Sequence, residues 1–270
     1  KKIKGSDYVL EDNRPATPGY KQEKAGQQKE SLNLIFKKMN ITPAKTPVKI
    51  TLSGDLIAAS GVGASAASCC AVARALNEEF GLGLTIEQIN EVAYEGEKGY
   101  HGTPSGLDNT AAVYGGLIWF QKEPSIMDKM TIPKPFEIVL GDTGKTSDTK
   151  FVVGGVAERK KANPQKFEKI FSEYKLMISE AKKVLLAGNL KKIGELMNKN
   201  QELLREIGVS SPELEQLIKL ALDNGAFGAK LTGTGVGGLM IALTPGKELQ
   251  EKVAKAMEKA GFRTIRTTIG

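Results

Sequence analysis

Ten consecutive residues, Ala58-Ala59-Ser60-Gly61-Val62-Gly63-Ala64-Ser65-Ala66-Ala67, carry no side chain larger than valine. They follow Val48-Lys49-Ile50-Thr51-Leu52-Ser53, which alternates like a strand with one buried face. They read as a tight loop opening a helix that runs to Phe80 and stops at Gly81. Glycines let a backbone turn sharply and come close to an anion. The N–H groups of a first helical turn have no internal partner, and with the helix dipole they favour phosphate. Ser65 adds a hydroxyl for a phosphate oxygen or a magnesium ion. No lysine follows the glycines, so this is not a Walker A loop, and no dinucleotide fingerprint is spaced correctly. Close packing of a small-residue helix against a neighbour fits the segment equally well. Cys69, Cys70, Ala71, Val72, Ala73 and Leu76 read as core, with both thiols inert.

A second segment, Glu97-Lys98-Gly99-Tyr100-His101-Gly102-Thr103-Pro104-Ser105-Gly106-Leu107-Asp108-Asn109, gathers two carboxylates, a serine and the chain's single histidine around a turn. Phosphoryl transfer needs positioning, a metal between phosphate oxygens and a carboxylate near the attacking hydroxyl. Glu97 suits Mg²⁺, a hard cation that prefers oxygen, and Asp108 suits the hydroxyl proton. The rival reading makes Asp108 a helix cap and Glu97 surface charge. A third segment, Lys230 to Gly238, holds four glycines in the six residues from Gly233 onward, between two predicted strands. A plain hairpin needs one or two; closure over a polyanion by backbone amides explains the surplus.

Elsewhere the pattern predicts helices over 18–39, from Thr85 to Glu97 with a Thr85/Gln88 capping box, and over 164–187, 190–207 and 212–224. A further helix follows Pro245. Strands are predicted at 116–120, from Phe151, and at 228–231, 239–243 and 262–269. The order suits an α+β fold of two domains, residues 1–150 and 151–270, with helices on one face of the second sheet.

Charge and composition exclude several classes. No apolar run is long enough to span a bilayer and no N-terminal signal is present, so the chain reads as cytoplasmic, with no membrane partner. Adjacent Cys69 and Cys70 suit neither a disulfide framework nor zinc, and one histidine removes multi-histidine metal sites. Of the net charge of +7, residues 1–50 carry +6, from ten Lys and one Arg against five acids. That segment has only Tyr8, Tyr20 and Phe36 as aromatics, so a nucleic-acid face is disfavoured against a solvated one.

Taken in order, the three segments resemble the motifs of the GHMP kinases, the galactokinase, homoserine kinase, mevalonate kinase and phosphomevalonate kinase superfamily. His101-Gly102-Thr103-Pro104-Ser105-Gly106-Leu107-Asp108-Asn109 has the form of the mevalonate kinase family. The resemblance runs from Asp12, through Asp12-Asn13-Arg14-Pro15-Ala16-Thr17-Pro18-Gly19-Tyr20, to the C-terminus. It implies ATP- and Mg²⁺-dependent phosphorylation of the primary hydroxyl of mevalonate in isoprenoid precursor synthesis. It implies an N-terminal domain like the second domain of ribosomal protein S5 and a ferredoxin-like C-terminal one. Asp108 becomes the catalytic carboxylate, and Ser65 and Glu97 become metal ligands. Gly61, Val62, Gly63, Ala64, Ser65, Ala66 and Ala67 cradle ATP phosphates. His101, Ser105 and Thr149 line the substrate side, and Gly233, Gly235 and Gly237 support the site. A homodimer stays open.

The sequence departs from the family at Ala64, where a first serine is usual, and near Ala59, where proline is common. Thr234 and Val236 replace Ala and Gly, and Val236 restricts the loop backbone. The family's first motif, a lysine-bearing strand and turn, is expected before residue 1, and nothing from Lys1 to Asp12 resembles it. Two other readings stand beside this one: another acceptor in the superfamily, such as phosphomevalonate, or a non-catalytic fragment whose basic segment binds nucleic acid.

Overall fold

The computed structural model describes residues 1–58, 61–124, 126–147 and 149–270, so Ala59 and Ser60 of the small-residue run lie outside the described residues. The chain forms two compact units, Lys1–Ala59 with Gly63–Lys129, and Ser60–Val62 with Met130–Gly270.

In the first unit, β1 (Val9–Asp12) pairs in parallel with β2 (Lys49–Leu52), Val9 opposite Lys49. Four helices build its core: α1 (Tyr20–Lys38), α2 (Ala64–Phe80), α3 (Ile86–His101) and α4 (Leu107–Tyr114). Apolar positions at helical spacing meet there, Leu32, Ile35 and Phe36 from α1, Cys69, Val72 and Leu76 from α2, Ile89 and Val92 from α3. Each such buried Leu, Ile or Val contributes about 2 kcal/mol. β3 (Leu117–Gln121) and β4 (Ile126–Met130) make a separate two-stranded sheet.

The capping box at the start of α3 forms as the sequence predicts: Gln88 N–H donates to Thr85 Oγ1 at 3.3 Å and Thr85 N–H to Gln88 Oε1 at 2.9 Å. The far end differs. The predicted stop at Glu97 gives way to a helix that continues to His101. Gly99 is the reason. It is a crossing point with α1 rather than a turn residue, since a Cβ there would lie 2.4 Å from the Ser31 amide nitrogen.

Gly26 has no such duty. It is exposed in the middle of α1, and a Cβ there would meet nothing within 4 Å. Gly26→Ala is therefore expected to stabilise the protein by about 0.5–1 kcal/mol, raising Tm by roughly 2 °C in a thermal scan.

The second unit contains β5 (Phe136–Asp142), α5 (Thr149–Ala162), α6 (Pro164–Leu186), α7 (Leu190–Glu206) and α8 (Pro212–Asp223). It continues with β6 (Gly228–Leu231), β7 (Leu239–Leu243), α9 (Lys247–Lys259) and β8 (Arg263–Ile269). The sheet runs β6-β7-β5-β8, every neighbouring pair antiparallel. With helices between β5 and β6 and between β7 and β8, this is the ferredoxin-like βαββαβ arrangement.

Three expectations are corrected here. The domain boundary falls at residue 129/130 rather than near 150, because β5 is the strand that joins β7 to β8. The stretch from Phe151, read as a strand from its β-branched run, lies in α5, with Phe151 itself exposed. Helices also cover both faces of the sheet. Val139 and Met240 pack with Leu217 and Met257 of α8 and α9, whereas Phe136, Ile138 and Leu243 pack with Leu185, Leu190 and Ile193 of α6 and α7. The strands carry apolar residues on alternate positions of both faces, so one helical layer cannot bury them.

At the sheet edge, α7 takes the place of a further strand. Asn198 Oδ1 accepts the Ala229 N–H at 2.9 Å and Gln201 Oε1 accepts the Leu231 N–H at 3.0 Å. These side chains satisfy donors that an open edge would leave unpaired. No helix among the described residues is long and apolar enough to cross a membrane.

Candidate active site

The run of small residues divides between the two units: Gly61 and Val62 group with the second, Gly63 to Ala67 with the first. In the second unit, Gly61 and Gly233 meet backbone to backbone. A Cβ on Gly233 would lie 2.8 Å from the Gly61 Cα, and Thr232 Oγ1 donates to the Gly61 carbonyl at 3.2 Å. The loop from Gly233 to Gly238 is anchored from below. Ser147 Oγ donates to Gly235 O at 2.7 Å, Gly238 N–H to Lys145 O at 2.8 Å and Val236 N–H to Val209 O at 2.7 Å. Gly237 sits against the carbonyls of Lys145 and Thr146. The restriction expected at Val236 is realised as strain, since it adopts φ 65°, a left-handed conformation that is costly for a β-branched residue.

In the first unit, Gly63 at φ 63° is the N-cap of α2, and among the described residues no side chain caps that end. Ala67 N–H makes the first helical bond, to Gly63 O, so the amides of Ala64, Ser65 and Ala66 have no acceptor one turn back within the helix. That is the geometry of an anion-binding helix terminus.

Three helices converge beside it. Ser65, at the start of α2, has its Oγ 3.3 Å from Nε2 of His101, the last residue of α3. Glu97, one turn back on α3, has Oε2 3.8 Å from the same nitrogen and is 1% exposed. Burial pushes the Glu97 carboxyl up to about 7; the hydrogen bond from Ser65 pulls the other way, and the charge of Asp108 adds to the rise. Burial holds the His101 imidazole below its ordinary value, against the pull of the Asp108 carboxylate. Cys69 lies beneath this group, its Sγ 3.2 Å from Ser31 Oγ and 3.9 Å from Glu97 Oε1. Its thiol is pushed far up by burial, which fits an inert core residue.

Asp108 stands exposed in the first turn of α4, and a Cβ on Gly63 would come within 3.9 Å of its own Cβ. It is not the helix cap. The N-cap is Gly106, and Ser105 Oγ accepts the Leu107 N–H at 3.2 Å. The capping role that competed for Asp108 therefore belongs to its neighbours. Ser105 is exposed on the same turn. Thr149 is the first residue of α5, in the second unit, and is not on any element of this cluster.

The donor set suits a hard divalent cation. Among the described residues no three His, Cys, Asp or Glu side chains form a cage. Mg²⁺ does not need one, because it takes one or two protein oxygens and completes its shell with water and phosphate. A serine hydroxyl and a buried carboxylate on one imidazole nitrogen supply such a pair, and a cation there would offset the desolvation that raises the Glu97 pKa.

Two further residues of the unit gain a role in the structure. Asp12 and Arg14, separated by one residue at the end of β1, form a mostly buried pair at 2.6 Å that reaches α2. The sequence places both in the Asp12–Tyr20 segment that carries the resemblance, without a site role.

Comparisons with known proteins bear on the family. The model of the GHMP kinases N terminal domain matches residues 28–116, and that of the GHMP kinases C terminal matches residues 181–263. The mevalonate kinase of Thermococcus sibiricus is 33% identical over 246 residues, covering 89% of this chain and 72% of that protein. The mevalonate kinase of Pyrococcus horikoshii is 36% identical over 222 residues, 79% of this chain and 64% of that one. Among solved structures, L. major mevalonate kinase in complex with R-mevalonate superposes with a TM-score of 0.91 at 36% identity, over 97% of this chain and 82% of that one. With a two-unit α+β fold, matches to both kinase domain models and identity above 30% sustained over most of its length, the chain belongs to the mevalonate kinase family of the GHMP kinases.

Proposed function

We propose that the protein transfers the γ-phosphoryl group of ATP to the primary hydroxyl of mevalonate, giving 5-phosphomevalonate and ADP. The observation that carries this reading is the convergence of Ser65, Glu97, His101 and Asp108 on one side of an uncapped helix start. The family relationship supplies the substrate class. The substrate's hydroxyl oxygen forms a bond to the γ-phosphorus while the bond to the bridging oxygen breaks. The hydroxyl proton goes to the Asp108 carboxylate, which is exposed and free of capping duty. Backbone amides of Ala64, Ser65 and Ala66 receive phosphate oxygens at the α2 terminus. Ser65 and Glu97 are the side chains that would hold Mg²⁺, which when bound neutralises charge developing on the phosphate oxygens. His101 Nε2 hydrogen-bonds the Ser65 hydroxyl and lies 3.8 Å from the Glu97 carboxyl, beside both groups. Ser105 supports the α4 turn that carries Asp108.

A coupled assay of ADP release with ATP·Mg and a panel of acceptors tests the reading. Mevalonate is expected to give a kcat/KM at least about 100-fold above phosphomevalonate, homoserine or galactose, since a site built for one set of polar groups rejects acceptors that leave them unpaired. Preference for any other acceptor on the panel overturns the substrate assignment.

A further inference from the structure

We propose that Arg14 is a positioning residue that locks the rotation of the first turn of α2, and with it the direction of the Ser65 hydroxyl. The inference rests on the reading of Ser65 as part of the nucleotide and metal site. The first turn consists of Ala64, Ser65 and Ala66; the buried methyls of Ala64 and Ala66 add their packing to that of Cys69, Val72 and Leu76 further along α2. A polar lock from β1 acts on the backbone of the same turn.

The lock has one end at β1, fixed by several bonds, and one end at α2. At the fixed end, Asp12 closes β1, and Arg14 grips its carboxylate with two parallel bonds, Nε to Oδ1 at 2.9 Å and Nη2 to Oδ2 at 2.6 Å. Gln28 Nε2 of α1 adds a third bond to Oδ2 at 3.2 Å, and Lys21 Nζ donates to the Asp12 carbonyl at 2.7 Å. Burial disfavours the Asp12 anion, yet the bonds and charge of Arg14 outweigh it and hold the carboxyl at about 2. At the α2 end, Arg14 Nη1 donates to Ser68 Oγ at 2.5 Å and to Ala64 O at 3.4 Å, while the Ser68 hydroxyl donates to Ala64 O at 2.7 Å. The guanidinium side chain is 9% exposed. Its planar fork therefore ties β1 to the carbonyl immediately before Ser65. A lysine cannot reproduce the fork, because an ammonium offers no fixed planar set of donors.

Arg14→Lys, Ser68→Ala and the double variant separate positioning from general support. Each single change is expected to weaken ATP·Mg binding, measured by calorimetry without turnover, about 10-fold, the usual effect of removing the support behind a ligand. The double variant is expected to be no weaker than Arg14→Lys within about twofold, because both changes break one network. Mevalonate KM is expected to stay within about twofold of wild type, with folding checked by Tm. Should Arg14→Lys fail to fold, Ser68→Ala carries the test, since it removes one hydroxyl from a helix and leaves Arg14 in place. Folded variants with wild-type ATP·Mg affinity overturn the proposal. So do equal losses for both substrates, or single effects that simply add. A wild-type protein that binds ATP·Mg but leaves mevalonate untouched overturns the proposed function instead, while the calorimetric comparison still decides the role of Arg14.

Discussion

Asp108→Asn is expected to lower kcat for phosphoryl transfer by about 10³-fold, while ATP·Mg affinity and Tm stay close to wild type. Asparagine keeps the size and one acceptor oxygen of aspartate but cannot take a proton at neutral pH. The substitution is structurally mild, because Asp108 is exposed and the α4 start is held by Gly106 and Ser105 rather than by its carboxylate. Loss of a negative charge near the α4 N-terminus costs about 0.5 kcal/mol through the helix dipole. It also removes the charge that helps raise the Glu97 pKa, so Glu97 moves toward its ordinary value. A steady-state assay beside a thermal scan separates the outcomes. A folded variant with wild-type kcat removes Asp108 from the chemistry.

Gly194→Ala is expected to be strongly destabilising, at about 3 kcal/mol and a Tm lower by roughly 8 °C. A Cβ there would lie 2.2 Å from the Phe227 carbonyl oxygen, and one on Gly228 would lie 2.3 Å from the Gly194 oxygen. Helix α7 and strand β6 thus touch through bare backbone on both sides. Neither contact atom is the end of a flexible side chain, so relief requires the helix to move away from the strand. That motion would stretch the Asn198 and Gln201 bonds to the Ala229 and Leu231 amides. The glycine loop that begins at Gly233 would lose the strand that leads into it. Thermal unfolding of Gly194→Ala next to Gly26→Ala gives opposite signs for the same chemical change. A Gly194→Ala protein as stable as wild type would show that the α7–β6 contact yields cheaply.

The parts of the fold readable in the chain are those set by local chemistry. The Thr85/Gln88 box, the Ser211-Pro212 start of α8 and the Asn163-Pro164 start of α6 are decided within a few residues, and all three form. The parts missed depend on distant partners. Gly99 looks like a turn glycine until Ser31 of α1 arrives against it. Phe151-Val152-Val153 has strand chemistry, yet Val152 is buried while Phe151 and Val153 face out, and the segment is helical.

The site shows the same division. The first two motifs hold Ser65, Glu97 and Asp108, marked by residue type, and His101, marked by the resemblance, and the structure brings these four together in one unit. Arg14 lies in the Asp12–Tyr20 segment that carries the resemblance, but the sequence assigns it no site role. That role comes from Ser68, a partner 54 positions away on α2.

The most direct measurement is ³¹P NMR of the purified protein incubated with ATP, Mg²⁺ and mevalonate. The expected result is a new phosphomonoester resonance that grows with the ADP signals, requires mevalonate and grows about 10³-fold more slowly with Asp108→Asn. ADP appearing with inorganic phosphate alone, or a phosphomonoester that forms equally with Asp108→Asn, would contradict the account.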